Sequence, residues 1–526
     1  MAGLLTGLWP LSSQADGGID ALRARSRAAL ARHDPIAAEV PLREALRKGV
    51  SEDALRADLG AALLARDDRV EAHRILDKGD FTPDTAALGW RMRGELAMSE
   101  GHLPQAGQDF DQALKVAPGD ADLWVSIARL RFTGGEEAQA QEAAERAVTL
   151  APRSARALAM RGMMVRARFG LRAGLPWFEQ GLRFHPDDAG LLVEYAATLG
   201  DMGRNRDMLA AVRRLAQADP GEPRIFYLQA VLAARAGRSE LARSLLQRTG
   251  TALRDLPGAM LLGGVLEYRA GNYAVAAGLL ERLARLQPGN LEAQQLLARV
   301  TARSGDNRQV VLRWDAVARQ PFASPYLKVL VARSWLALGQ KARGQAMLAS
   351  AGLSRAGGGA AGEAGGGRGP FVSIPPDQPL GALSLRYQDA PNFAGVAVPY
   401  VRGLLAARRG DQARVVADRL RDANPGASQA WLVAGDVRML GGDPRGAVAQ
   451  YEQAATIRFG EPVLRRLDAA LRASGQPRTA DTVTARYLDA NPQSLAAMRL
   501  LLAAWREEGR MAEAAAMERA LRARGV

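Results

Sequence analysis

The sequence predicts an all-α protein built from repeated helical hairpins, and three observations lead to this prediction. Ala, Leu and Arg dominate, aromatic residues make up only 5% of the chain, and strand-forming residues never cluster for long. Proline recurs every 34 residues, at Pro118, Pro152, Pro186 and Pro220. A small residue also recurs once in each period. Such a fixed period is typical of proteins that stack one structural unit many times.

Ten windows of 34 residues align from Ile19 onward. They begin at Ile19, Asp53, Ala87, Ala121, Ala155, Ala189, Pro223, Pro257, Leu291 and Pro325. The eighth position is always small, and it reads Ser26, Gly60, Gly94, Ala128, Gly162, Ala196, Ala230, Gly264, Ala298 and Ala332. The twentieth position is mostly small, and the twenty-fourth is always apolar.

Each of these recurring positions has a physical role in a hairpin of two helices. Small residues at the eighth and twentieth positions let the two helix backbones approach closely. The apolar twenty-fourth residue is expected to fill the groove against the next hairpin. Glycine at the fifteenth position allows a positive φ at the turn, and proline at the thirty-second ends the second helix. The turn glycines are Gly101, Gly135, Gly203, Gly237, Gly271, Gly305 and Gly339.

These columns resemble the tetratricopeptide repeat family. The window from Ala87 carries its motif at Trp90, Gly94, Ala106, Phe110, Ala113 and Pro118, although Arg93 stands at a position where the family has Leu. The resemblance implies a right-handed superhelix, an α-solenoid, whose concave wall is lined by the first helix of each hairpin. It also implies a scaffold that binds other proteins rather than an enzyme.

The register returns near the C-terminus, where the window from Ser428 again matches the family motif. We therefore predict about fourteen hairpins in two blocks, at residues 19–352 and 396–526. Residues 353–395 are interpreted as an insertion with a flexible glycine linker at 356–369 and an extended, proline-containing part after it. A further hypothesis is that residues 371–385 occupy the groove.

The sequence offers no candidate for catalysis, cofactor binding or metal binding. Gly357, Gly359 and Gly362 match the spacing of a dinucleotide-binding loop, but a helical repeat precedes them and a proline-rich segment follows, so the βαβ context is missing. The four histidines fall in separate repeats, and the chain has no cysteine. We predict no catalytic residue, no cofactor and no metal.

The predicted concave wall interleaves apolar residues with arginine, which suits a peptide of acidic character. Any one of these side chains could instead pack a seam between repeats. Sparse aromatic residues and only five lysines argue against single-stranded nucleic acid. The predicted groove residues are Arg91, Met98, Arg129, Phe132, Met163, Arg166, Tyr227, Tyr268, Arg299 and Arg333.

The net charge of +14 reflects arginines spread along the whole chain, which favours a coding bias over a dedicated anion-binding surface. Residues 1–18 are interpreted either as a signal-peptide remnant or as an N-terminal cap, because an apolar run precedes the small-x-small triplet Ser13–Ala15 but no basic residue comes before it. No apolar run reaches the roughly 20 residues of a membrane-spanning helix. We predict a periplasmic or envelope scaffold, for example in exopolysaccharide assembly. The alternative is a cytoplasmic regulatory scaffold or the binding subunit of a separately encoded enzyme. The sequence leaves the oligomeric state open.

Overall fold

The computed structural model describes residues 12–32, 34–79, 81–287, 290–320, 323–351 and 378–524. These residues form helices and connecting turns, without a strand among them. The chain divides into two compact units. Unit 1 comprises the described residues up to Gly134 together with Gln139–Arg161. Unit 2 comprises Gly135–Ala138 and the described residues from Gly162 onward.

Ten helical hairpins occupy the N-terminal part of the chain, as the period predicts. In chain order their helices are α1 (Ser12–Ala31), α2 (Pro35–Arg47), α3 (Glu52–Ala65), α4 (Arg69–Leu76), α5 (Ala86–Ser99), α6 (Leu103–Val116), α7 (Ala121–Thr133), α8 (Glu137–Leu150), α9 (Ala155–Phe169), α10 (Leu171–Phe184), α11 (Ala189–Asp201), α12 (Asn205–Ala218), α13 (Arg224–Arg235), α14 (Ser239–Gln247), α15 (Pro257–Arg269), α16 (Tyr273–Leu286), α17 (Leu291–Arg303), α18 (Asn307–Ala318), α19 (Pro325–Ala337) and α20 (Lys341–Ser350).

Four more hairpins follow a single helix in the C-terminal part. They are preceded by α21 (Leu380–Asp389) and consist of α22 (Ala394–Ala406), α23 (Gly410–Ala423), α24 (Ser428–Leu440), α25 (Pro444–Ile457), α26 (Glu461–Ala473), α27 (Pro477–Ala490), α28 (Leu495–Glu507) and α29 (Met511–Arg522). The predicted fourteen hairpins are therefore confirmed in the described residues. We call the ten hairpins the N-terminal array and the last four the C-terminal array.

The small eighth residue and the apolar twenty-fourth residue of one hairpin touch each other. A Cβ on Gly94 of α5 would lie 2.5 Å from the ring of Phe110 on α6, and a Cβ on Gly162 would lie 2.5 Å from the ring of Phe178. Phe110 is buried and also belongs to a cluster with Leu123 and Leu130 of the next hairpin. The Phe110 ring therefore packs within its own hairpin and also against the next hairpin. The sequence predicts only the contact with the next hairpin.

The turn glycines have the backbone conformation that the sequence predicts. All seven have φ between +76° and +87°, a region that costs other residues strain. The prolines also end helices as expected. Helix α6 stops at Val116, two residues before Pro118, and α10 stops at Phe184, two residues before Pro186.

The prediction of an extended segment is wrong for residues 380–389, which form α21. Leu380, Leu383 and Tyr387 share one face of this helix, and Leu383 is buried. Tyr387 stacks on Tyr400 of α22 with ring centroids 4.8 Å apart. Packing on α22 stabilises the helix despite the prolines upstream, since the last of them, Pro379, lies just outside it as its N-cap residue.

Several predictions about segments fall outside the described residues. They concern the apolar run at residues 3–11, the glycine segment at 356–369 and most of residues 371–385. The triplet Ser13–Ala15 lies within α1. None of the helices in the described part of the chain combines the length and apolar character that a bilayer crossing needs.

Candidate partner-binding groove

The predicted groove residues of unit 1 lie on first helices, and one of them, Arg91, belongs to an ion-pair network. Arg91 on α5 lies 3.4 Å from Asp122 on α7, and Arg156 on α9 lies 3.4 Å from the same carboxylate. Arg156 also lies 3.5 Å from Glu95 on α5. The Ser126 hydroxyl donates to Glu95 at 2.6 Å. The network therefore links three successive first helices, and it neutralises Arg91.

Electrostatics keeps Glu95 ionised within this network. Burial on its own would raise the pKa of the carboxyl, but the charges of Arg156 and Arg91 and the Ser126 hydrogen bond lower it below the usual value. Arg129, one helical turn beyond Ser126, lowers the same pKa and is itself exposed.

The two predicted apolar residues of unit 1 are half-buried. Met98 packs against the cluster between α5, α6 and α7, so this side chain belongs to a seam between repeats. Phe132 lies in the last turn of α7. Arg93, where the family motif has Leu, bonds the buried carboxylate of Asp109 at 2.7 Å and lies 4.2 Å above the ring of Trp90.

In unit 2 the first groove residues are again paired with neighbours. Arg166 on α9 donates to Thr198 at 2.6 Å and to Glu194 at 2.9 Å, both on α11. Met163 is half-buried one turn before it. Tyr227 on α13 directs its hydroxyl into the space left by Gly258 of α15, and burial raises the pKa of this tyrosine.

Farther along unit 2, three arginines on first helices form no ion pair with a carboxylate that the structure describes. Arg299 on α17 lies 5.0 Å above the ring of Tyr268 on α15. Arg303 and Arg333 also act on Tyr326 of α19, a tyrosine that is 45% exposed. Burial of part of this ring and the neighbouring Tyr268 raise the pKa of Tyr326, while the three arginines oppose the shift.

We call Tyr268, Arg299, Arg303, Tyr326 and Arg333 the Tyr–Arg patch. No carboxylate that the structure describes forms an ion pair with any of its three arginines. The patch residues lie on three successive first helices, α15, α17 and α19. A hydrogen bond from Gln295 on α17 to Ser324, just before α19, joins the last two at 2.9 Å. Two members of the patch are absent from the ten predicted groove residues: Arg303, and Tyr326, which the repeat register does place on the first-helix wall. Arg303 lies one helical turn after Arg299, which is the signal that could have found it.

Unit 1 also contains a cleft of about 480 Å³ outside this wall. It lies between α6, α7 and α8 and is lined by Trp124, Leu114 and Ile127 with Arg131 and Glu142 at its edge. Within the described residues, no group of three or more histidine or carboxylate side chains is arranged to hold a metal ion.

Comparison with protein families finds the tetratricopeptide repeat at residues 91–155, 196–253 and 401–461. A comparison with curated proteins found no match.

Three solved structures are among those that are similar to this chain. PilF of Pseudomonas aeruginosa is 20% identical, covers 41% of this chain and 99% of its own, and has a TM-score of 0.32. The type IV pilus biogenesis factor PilW is 20% identical over 40% of this chain and 98% of its own, with a TM-score of 0.32. The Cut9–Hcn1 complex of the APC/C is 14% identical over 93% of this chain and 90% of the matched chain, also with a TM-score of 0.32.

The three matched regions lie on the helical hairpins described above and include the sequence of Trp431, Gly435 and Tyr451 in the C-terminal array. The repeat architecture supports a role in protein–protein interaction, since arrays of this kind present extended binding surfaces. In these three regions the chain carries tetratricopeptide repeats.

Proposed function

We propose that the chain is a non-enzymatic interaction scaffold that holds a protein partner through an acidic, partly apolar segment. The observation that carries this proposal is the Tyr–Arg patch, where three guanidinium groups that pair with no carboxylate in the described part of the chain act on the exposed Tyr326. Guanidinium groups bind carboxylates through charge-assisted hydrogen bonds, and tyrosine adds apolar contact area at little entropic cost.

The paired arginines of the wall are weaker candidates for binding the acidic groups of a partner. Arg91 and Arg166 already face Asp122 and Glu194, so a partner carboxylate would have to compete with them. In the proposed complex Arg299, Arg303 and Arg333 hold the acidic segment. The other predicted groove residues of unit 2, Met163, Arg166 and Tyr227, then line the path of the bound segment beyond the patch.

A peptide suits the patch better than single-stranded nucleic acid does. Non-specific binding of bases needs a series of aromatic platforms along a basic groove, and the patch has two tyrosines. Arg299 already lies over the ring of Tyr268. The partner is therefore proposed to be a protein.

The proposed location is the bacterial envelope, where the scaffold would serve assembly of secreted polysaccharide or a related machine. The apolar run at residues 3–11 and the triplet Ser13–Ala15 support an exported protein. The alternative remains a cytoplasmic regulatory scaffold or a binding subunit of another enzyme. N-terminal sequencing of the protein from fractionated cells separates the two. A periplasmic chain beginning at Asp16 supports export, and an uncleaved cytoplasmic chain contradicts it.

The binding proposal is tested with the full chain and a fluorescent 12-residue peptide of alternating Glu and Leu. Fluorescence anisotropy at low and at physiological salt gives its Kd. The variant R299A/R303A/R333A should bind about five- to hundredfold more weakly, because three exposed charge interactions of a few tenths to one kcal/mol each are removed. Its binding should also depend less on salt.

A matched control removes the same number of charges from second helices. Arg213, Arg285 and Arg308 are exposed on α12, α16 and α18, and R213A/R285A/R308A should leave the Kd within about twofold, since only long-range charge is lost. Equal weakening by both triple variants would mean that net charge alone attracts the peptide. Tighter binding of a dT12 oligonucleotide than of the peptide would favour nucleic acid instead.

A further inference from the structure

Three successive turns of the N-terminal array touch three successive loops of the C-terminal array, all within unit 2. The turns join the two helices of a hairpin, and the loops join one hairpin to the next. Ala138 donates its N–H to the carbonyl of Gly426 at 3.1 Å, and Phe459 donates to the carbonyl of Arg168 at 3.3 Å. In the third contact the side chain of Gln493 donates to the carbonyl of Met202 at 3.4 Å.

The contacts keep one register along both arrays. Glu137 and Ser428 are 291 residues apart, as are Met202 and Gln493, and the Arg168–Phe459 bond has the same separation. A constant offset means that each repeat of one array meets the equivalent repeat of the other. An accidental touch between two surface loops would not repeat at the period of the solenoid.

The first of these contacts buries a charged side chain. Glu137 is 7% exposed, and its Oε2 accepts the N–H of Ser428 at 3.1 Å. Ser428 is 3% exposed and donates its hydroxyl to the carbonyl of Ala454 at 3.3 Å. Arg458 lies 3.8 Å from the other oxygen of Glu137. Buried polar groups need such partners, and here each array supplies the partner of the other.

Two glycines permit the close approach at the other contacts. A Cβ on Gly170 would lie 2.8 Å from the Cβ of Ala490 and 3.0 Å from Nδ2 of Asn491. A Cβ on Gly203 would lie 2.5 Å from Nε2 of Gln493. At Gly237 and Gly305, in turns of the same kind, the space beside the glycine is empty to 4 Å.

Exposed ion pairs flank the contact. Arg172, at the start of α10, lies 3.2 Å from Asp489 on α27. Arg465 on α26 lies 2.8 Å from Glu292 on α17. We call this set of contact residues the clasp. Its N-terminal side is formed by Glu137, Ala138, Arg168, Gly170, Met202 and Gly203, and its C-terminal side by Gly426, Ser428, Phe459, Asn491 and Gln493.

We propose that the clasp is a specific docking surface on which the N-terminal array binds the C-terminal array of the same chain, and that it holds them together without help from the backbone between them. The partner of this surface is the loop edge of residues 426–493. This inference does not depend on the proposed peptide site, since none of the residues in the Tyr–Arg patch takes part in the clasp.

The test is to cut the backbone between the arrays and ask whether they stay together. A specific protease site is placed within residues 356–369 of the full chain, and the folded protein is cleaved. Size-exclusion chromatography with light scattering then gives the mass of the species at a series of dilutions. The cleaved chain should elute at the mass of the intact protein at micromolar concentration.

Matched glycine variants assign the association to the clasp. G170A/G203A should raise the Kd of the cleaved pair at least about tenfold, a change that corresponds to 1.4 kcal/mol. G237A/G305A carries similar φ strain (+76° and +87°, against +94° and +76°) but meets no neighbour, so its Kd should stay near that of the parent. Circular dichroism before cleavage checks that each variant is helical.

Two outcomes would overturn the proposal. The cleaved parent protein could separate into two fragments at micromolar concentration. Alternatively, the two glycine pairs could weaken association equally, which would assign the effect to turn strain rather than to contact between the arrays.

Discussion

Glu95 and Glu137 are two carboxylates whose surroundings shift their pKa values in opposite directions. Arginines and the Ser126 hydroxyl outweigh burial at Glu95 and lower its pKa. At Glu137 burial raises the pKa, and the Ser428 N–H and the charge of Arg458 offset only part of the shift. The two residues should therefore give opposite contributions to stability as the pH changes.

Acidification should remove the contribution of Glu95 to the stability of unit 1. Its folded-state pKa lies below the unfolded value near 4.5, so the contribution is complete above pH 4.5 and is lost as the pH falls through the folded pKa. Urea unfolding followed by tryptophan fluorescence between pH 3 and 7 measures this, with E95Q as the variant that cannot titrate. Parallel pH profiles for the two proteins would contradict the prediction.

The contribution of Glu137 should follow the opposite sign. Its folded-state pKa lies above the unfolded value, so the folded state binds the proton more tightly, and stability is lost as the pH rises through the folded pKa. Relative to E137Q, the parent protein should therefore gain stability as the pH falls from neutrality toward 4.5. A parent protein that loses stability relative to E137Q over this range would show that the carboxyl is not buried.

Removing the acceptor at Glu137 should cost more than removing its charge. E137Q keeps an oxygen that can accept the Ser428 N–H, whereas E137A leaves this buried N–H without a partner. We expect E137A to lower the free energy of unfolding of unit 2 by about 1–3 kcal/mol and E137Q to lower it much less. Urea unfolding at pH 7 measures both free energies of unfolding. An equal decrease in the two variants would show that the hydrogen bond from Ser428 does not stabilise unit 2.

The sequence predicts which residues lie on first helices but not the ion-pair partners that neutralise some of them. The position of Arg91 in its window predicts a first-helix residue, and Arg91 lies on α5, the first helix of its hairpin. Its neutralisation depends on Asp122, a residue of the next repeat, and on the rotamers of both side chains. The same holds for Arg166 and Glu194. Repeat position predicts the face of a helix, whereas cross-repeat distances decide which charges remain unpaired.

At the scale of elements, the contact between the small eighth residue and the aromatic twenty-fourth residue sets how closely the two helices of a hairpin pack. Gly94 on α5 meets the ring of Phe110 on α6. Gly107, on the same second helix, has no neighbour closer than 3.8 Å to the position of a Cβ. Substituting each glycine by alanine therefore distinguishes two effects: the loss of close packing at Gly94, and the intrinsic helix propensity of glycine at Gly107.

Alanine should have opposite effects at these two glycines. G94A forces Phe110 out of its position and should destabilise unit 1 by about 1–3 kcal/mol. G107A adds a better helix former where space exists and should stabilise it by up to about 1 kcal/mol. Thermal or urea unfolding gives both values, and a stabilising G94A would contradict the packing that we describe for the hairpin.

Helix α21 shows where the period stops being informative. The hairpins on either side are predicted by columns of small and apolar residues that repeat in each window. Residues 380–389 belong to no window, and the prolines just before them favour an extended chain. Helix α21, which carries the stripe of Leu380, Leu383 and Tyr387, is only ten residues long. Its helical state depends on packing against Tyr400 and the rest of α22, which no local pattern reveals.

At the scale of the whole molecule, the period predicts the number and order of hairpins because each repeat contacts mainly its neighbours. The clasp is a contact between repeats 291 residues apart and leaves no such signal. Glu137 and Ser428 look in the sequence like ordinary first residues of helices. The division into arrays on either side of residues 353–395 therefore stays a prediction about the chain, while the contact between those arrays comes from the structure.

The central claim of the account is that a partner binds through the Tyr–Arg patch. Hydrogen–deuterium exchange of the full chain with and without the Glu–Leu peptide tests it most directly. The account predicts slower exchange in α15, α17 and α19 when the peptide is bound, and little change in α5 and α7. Protection confined to α5 and α7, or a bound peptide that protects none of the first helices, would contradict it.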